Sequence, residues 1–137
     1  MCIRDSIYPE GSRAGQPDPE VVTVVEETSA ELGIARREIS DEEVLKRCLY
    51  PLINEGARLL EQKIAIRPCD IDIVYMNGYG FPEVTGGPMF WADQQGLDKI
   101  LADIKKFGEE YGGEIWEPAP LLVKLVEEGK TFQSLQG

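Results

Sequence analysis

Asp70 and Asp72 are two carboxylates close together in the sequence, the residue type that general acid–base work requires. Positions two apart on a helix do not share a face, so a catalytic couple is not expected. Asp70 is expected to cap a helix, and Asp72 to face solvent or accept hydrogen bonds. Asn54 stands inside an apolar helical pattern, where asparagine costs helix propensity. It either meets a partner surface or bonds within the domain, and the second is favoured. A third possibility, an oriented polar group, would need Asn54 to point into an open cleft. Gly78-x-Gly80 supplies two glycines of a dinucleotide loop, but Glu83 stands where the third belongs. No strand precedes it, and Pro82 would interrupt the helix start. Gly129-Lys130-Thr131 looks like the end of a phosphate loop, yet Lys124 replaces its first glycine.

The sequence contains no histidine. That excludes His-based acid–base catalysis, Ser–His and Cys–His nucleophile pairs, and most zinc enzymes. Cys2, Cys48 and Cys69 are odd in number and lack C-x-x-C spacing. Neither a zinc knuckle nor a disulfide framework is expected, and a reducing cytoplasm suits them. Cys48, set among apolar residues, is expected to be a small core side chain. No residue is assigned a catalytic, cofactor-binding or metal-ligating role.

The net charge of -11 argues against nucleic acid and against an anionic membrane surface. Most of the acid lies at helix starts or on polar faces and reads as solvated surface. The length of 137 residues fits one domain with one core. No apolar run is long enough to span a bilayer.

Helical periodicity dominates the chain, and no strand pattern or internal repeat is found. Residues 7–17, rich in Gly, Pro, Ser and Arg, read as a linker or the truncated end of a preceding segment. Asp18 and Pro19 open a helix with Val21, Val22, Val25, Ser29 and Leu32 on one face, ended by Gly33. Ser40 and Glu43 make a capping box for the next helix. Leu45, Cys48, Leu49, Leu52, Ile53, Gly56, Leu59 and Leu60 form its apolar face, and Pro51 is expected to kink it.

A helix from about Asp70 to Asn77 follows, with Ile71, Val74 and Tyr75 inward and Gly78 at its end. Gly80, Pro82, Gly86, Gly87 and Pro88 belong to a stiff loop whose glycines suit positive φ or close backbone approach. These residues either form a docking surface or merely connect helices. Helices over about 88–95, 97–111 and 118–128 complete the pattern, the last stopped by Gly129. Leu97, Ile100, Leu101, Ile104 and Phe107 face inward on one, and Leu121, Leu122, Leu125 and Val126 on the other. Phe90, Trp91 and Trp116 are expected as core or interface anchors.

Three linked stretches then carry a family resemblance. They are Glu38 to Glu43 with Arg47 to Ala57, Asp70-Ile71-Asp72 leading to Gly78-Tyr79-Gly80-Phe81-Pro82, and Gly86 to Phe90 with Ala92-Asp93. Their letters and spacing resemble the second C-terminal repeat of multifunctional 3-hydroxyacyl-CoA dehydrogenases over about Pro17 to Leu125. The resemblance implies an all-α fold, the helical domain of the 3-hydroxyacyl-CoA dehydrogenase C-terminal (6-phosphogluconate dehydrogenase C-terminal-like) type, over residues 18–129. It implies a parent enzyme that oxidises 3-hydroxyacyl-CoA with NAD. There, a Rossmann domain holds NAD and a His–Glu pair, and two helical repeats pack on each other.

In the first repeat the family places a catalytic Asn in an Asn-Arg pair at the start of the long helix. The matching pair here is Lys46-Arg47. The chain is therefore expected to bind no cofactor itself and to brace the preceding repeat and the Rossmann domain, with acyl-CoA bound in the full-length enzyme. The rival reading is a free-standing helical dimerisation or interaction module without activity.

Met1–Ser6 spell the translation of a transposase sequencing adapter, ATG TGT ATA AGA GAC AG with its last codon completed. Residues 1–6 are accordingly expected to be an adapter-derived artefact. Residues 130–137 read as a tail, and their final Ser-Leu-Gln-Gly is not a peroxisomal address.

Overall fold

The computed structural model describes residues 6–135. The expected adapter string therefore lies outside the described residues except for Ser6. Contacts divide the chain into a unit up to Ile39 and a second unit from Ser40 onward.

In the first unit a short antiparallel pair forms where no strand was expected. β1 (Ser6–Ile7) pairs with β2 (Gln16–Pro17), with Ser6 opposite Pro17 and Ile7 opposite Gln16. Helix α1 (Pro19–Glu31) begins as anticipated, with the Asp18 carboxylate accepting from the Glu20 N–H at 2.9 Å. α1 buries no residue fully, and Val22, Val25 and Leu32 of its valine face are exposed.

The second unit holds α2 (Asp41–Glu61), α3 (Pro68–Gly78), α4 (Pro88–Gln95), α5 (Leu97–Tyr111) and α6 (Pro120–Glu127). Short 3-10 turns occupy Glu83–Thr85, Glu114–Trp116 and Phe132–Leu135. Ser40 caps α2 by accepting from the Glu43 N–H at 3.2 Å. The helix then runs unbroken through Pro51. Its buried stripe is Tyr50, Ile53, Asn54, Gly56 and Ala57. Cys48, expected in the core, is exposed, and Leu45 is half exposed. The apolar pattern of α2 is wider than the surface that this chain covers, and Cys48 falls on the uncovered side.

The core lies where α2, α4, α5 and α6 meet. Ile53, Met89, Ile100, Ile104, Leu122 and Phe132 are each fully buried there. All five expected inward residues of α5 are buried. Trp116 packs on Phe107 with ring centroids 4.9 Å apart. Gly56 lets α2 and α4 approach closely, because a Cβ there would stand 2.6 Å from Met89 Sδ.

Two helix starts differ from expectation. α3 begins at Pro68, so Asp70 lies in its first turn rather than at its cap. The Asp70 carboxylate accepts from the Arg67 N–H at 3.0 Å and from the Arg67 guanidinium at 2.7 Å. On the same helix Val74 is exposed rather than inward. α6 begins at Pro120, two residues later than its periodicity suggests. The segment read as a tail continues into a turn whose Phe132 is fully buried.

Three helices end in the same reversed turn, with a left-handed residue just past the last helical turn. Gly33 (φ 67°) does this for α1 and Gly129 (φ 62°) for α6, but α2 uses Lys63 (φ 59°). There the Ile64 N–H donates to Leu59 O at 2.9 Å and the Lys63 N–H to Leu60 O at 3.1 Å. A non-glycine residue in this conformation is strained by about 1 kcal/mol. Lys63→Gly is therefore expected to raise stability by about 0.5–1 kcal/mol, read as an upward shift of the urea midpoint. A midpoint that falls would show that the lysine side chain contributes more than the strain costs.

Candidate functional site

The exposed side of α2 forms one wall of an apolar groove enclosing about 410 Å3. Leu45, Leu49 and Leu52 line that wall; Tyr75, the segment Tyr79–Pro82, Thr85 and Trp91 close the groove. Tyr75 and Tyr79 pack with ring centroids 5.0 Å apart. The loop satisfies its own polar groups. The Tyr79 and Phe81 N–H groups both donate to Tyr75 O at 3.1 Å, and the Thr85 hydroxyl donates to Pro82 O at 2.6 Å. No carboxylate, amine or thiol lines the groove. Such a surface can exclude water against another apolar surface; the phenols of Tyr75 and Tyr79 are its only ionisable groups.

Gly80, Gly86 and Gly87 all have positive φ, at 71°, 76° and 95°. Gly78 is the last residue of α3, Pro82 precedes the 3-10 turn, and Pro88 opens α4. The Gly78–Pro82 segment thus leaves a helix rather than a strand. It cannot present the strand–turn–helix that cradles a pyrophosphate, and these residues do not fit NAD.

Gly87 is tied to a buried carboxylate. α4 has no side-chain cap of its own. Asp72, reaching from α3, accepts from the Met89 N–H at 2.7 Å and the Phe90 N–H at 3.4 Å. A Cβ on Gly87 would lie 2.4 Å from Asp72 Cβ, so only glycine leaves room for this cap. Asp72 is therefore buried and hydrogen-bonded, and Asp70 and Asp72 do not converge on a common site.

Asn54 is fully buried and bonded on every side. Its Nδ2 donates to Glu117 O at 2.7 Å and Ile115 O at 3.3 Å, and its Oδ1 accepts from the Ala119 N–H at 2.8 Å. Arg58 adds a donor bond to Glu117 O at 2.6 Å. Asn54 thus anchors the entry to α6 and faces no cleft. Asp93 plays a similar part that sequence reasoning missed. Its two carboxylate oxygens accept from the Phe132 N–H at 2.8 Å and the Gln133 N–H at 2.9 Å. The available signal was its place beside Met89 and Ala92 on the inner side of α4.

Lys46 is committed to ion pairs. Its Nζ lies 2.8 Å from Glu42 Oε1 and 3.0 Å from Asp103 Oδ2. Hydrogen bonds to Glu42 and then to Asp103 hold it well above the usual lysine range. The Arg47 guanidinium lies over the Tyr111 ring, 4.4 Å from its centroid.

Burial pushes the Asp72 and Asp93 carboxyls above the usual aspartate range, against the pull of their backbone N–H donors. The part of their stability linked to proton uptake is fully present below the unfolded pKa and is lost as pH rises through the folded one, while the backbone N–H bonds they accept remain. That window opens at about pH 4 and extends upward. Asp72→Ala strands two N–H groups and is expected to cost about 2–3 kcal/mol at neutral pH. Asp72→Asn keeps an acceptor, should cost less, and should flatten the slope of stability against pH in that window.

Asn54→Ala is expected to cost about 3 kcal/mol. Asn54→Asp should cost more at neutral pH, because it sets a buried carboxylate against two carbonyl oxygens. Urea titrations across the acid range measure all four variants. An unchanged midpoint in Asp72→Ala, or an Asn54→Asp chain more stable than Asn54→Ala, would contradict these assignments.

Comparison with known proteins identifies the family. Residues 44–135 match the family model of the 3-hydroxyacyl-CoA dehydrogenase, C-terminal domain. The chain is 42% identical over 120 residues to the peroxisomal bifunctional enzyme of Danio rerio, which covers 87% of this chain and 17% of that protein. It is 40% identical over 131 residues to the peroxisomal bifunctional enzyme of Homo sapiens, covering 91% of this chain and 18% of that one. It is 37% identical over 138 residues to the Arabidopsis thaliana peroxisomal fatty acid beta-oxidation multifunctional protein AIM1, covering 93% and 19%. The chain thus spans under a fifth of the length of these relatives.

The crystal structure of Mycobacterium tuberculosis FadB2 superposes with a TM-score of 0.60 at 28% identity, covering 87% of this chain and 41% of that one. The relatives' names are peroxisomal, which the expectation of a cytoplasmic protein did not foresee. Among the described residues no helix is long and apolar enough to cross a membrane. With a family match over most of its length and relatives at 40% identity or more, the chain belongs to the 3-hydroxyacyl-CoA dehydrogenase C-terminal domain family.

Proposed function

We propose that this chain is the second, non-catalytic helical repeat of an NAD-dependent 3-hydroxyacyl-CoA dehydrogenase of fatty-acid β-oxidation. Its groove buries against the preceding helical repeat and so holds the substrate cleft of the parent enzyme in shape. NAD belongs to a Rossmann domain outside this chain, and acyl-CoA to the parent enzyme as a whole. The cysteine usage favours a reducing compartment, either the cytoplasm or the interior of the organelle for which the relatives are named.

The observation that carries this reading is the width of the apolar arc on α2. At about 100° per residue, the arc from Leu59 and Leu52 through Leu45, Leu49 and Ile53 to Tyr50 and Ala57 spans about 180°. A surface helix needs a stripe of only about 100°. The Tyr50, Ile53 and Ala57 portion is buried by the chain's own helices. The Leu45, Leu49 and Leu52 portion lines the open groove, ready for a second apolar body. The Lys46 ion pairs support the same assignment, since they occupy the place of the family's catalytic Asn with a structural contact.

The isolated chain should neither bind NAD at micromolar concentration nor oxidise 3-hydroxyacyl-CoA. Mixed with a dehydrogenase lacking this repeat, it should restore activity and protect the exposed Cys48 thiol from maleimide. Leu45→Glu should abolish restoration while leaving the chain's own stability within about 0.5 kcal/mol, because Leu45 is already half exposed. Micromolar NAD binding by the chain alone would overturn the proposal. A tight homodimer in sedimentation, with Cys48 protected and no restoration, would instead favour a free-standing dimerisation module.

A further inference from the structure

We draw no further inference here: the strongest candidate, the apolar cleft at the C-terminal end of α2 walled by Leu60, Ala65, Ile66, Leu121 and Leu135 with Lys63 and Glu61 at its edge, is an open surface for which nothing in the structure shows what covers it.

Discussion

Buried backbone N–H groups at helix starts must find an acceptor, and in this domain the acceptors come from far away in the sequence. α4 and α6 have no side-chain cap of their own. Asp72 supplies one for α4 across 17 residues, and Asn54 holds the entry to α6 across 65. Asp93 does the same for the turn at Phe132 across 39 residues. A helix capped by its own preceding residue would form independently of its neighbours. A helix capped from another element forms only when that element is in place. These three polar side chains therefore join the order of packing to the satisfaction of the backbone. Among the described residues no buried side-chain nitrogen or oxygen is left without a partner.

The same constraint explains the loop between α3 and α4. The Asp72 carboxylate occupies the space beside residue 87, so that residue must be glycine. Once α4 is pinned at its start, Trp91 and Phe81 are held opposite the leucines of α2, and the groove has its walls. The groove is thus a consequence of core geometry. Burying a carboxylate carries a desolvation cost, visible in the upward displacement of Asp72. The position of the groove's walls is what that cost maintains.

Family membership identifies residues 44–135 as a C-terminal domain. Lys46 links α2 to α5 through Asp103. On the proposed reading, the ion pairs of Lys46 give this helical unit a supporting part.

Local signals in the chain settled the local structure. Ser40 and Asp18 mark helix starts, Gly33 and Gly129 mark helix ends, and the spacing of Leu97 to Phe107 names a buried face without ambiguity. These features depend on neighbours within four residues, so periodicity and capping chemistry suffice to find them. Cys48 and Asp93 were not legible in this way. The apolar period of α2 shows that its leucines seek cover, yet it cannot say which of them this chain covers and which await another. That division depends on where α4 and α6 lie, and their placement rests on hydrogen bonds between residues far apart in sequence. The sequence determined the helices and their chemistry; the tertiary structure decided which polar groups were spent inside and which apolar face was left open.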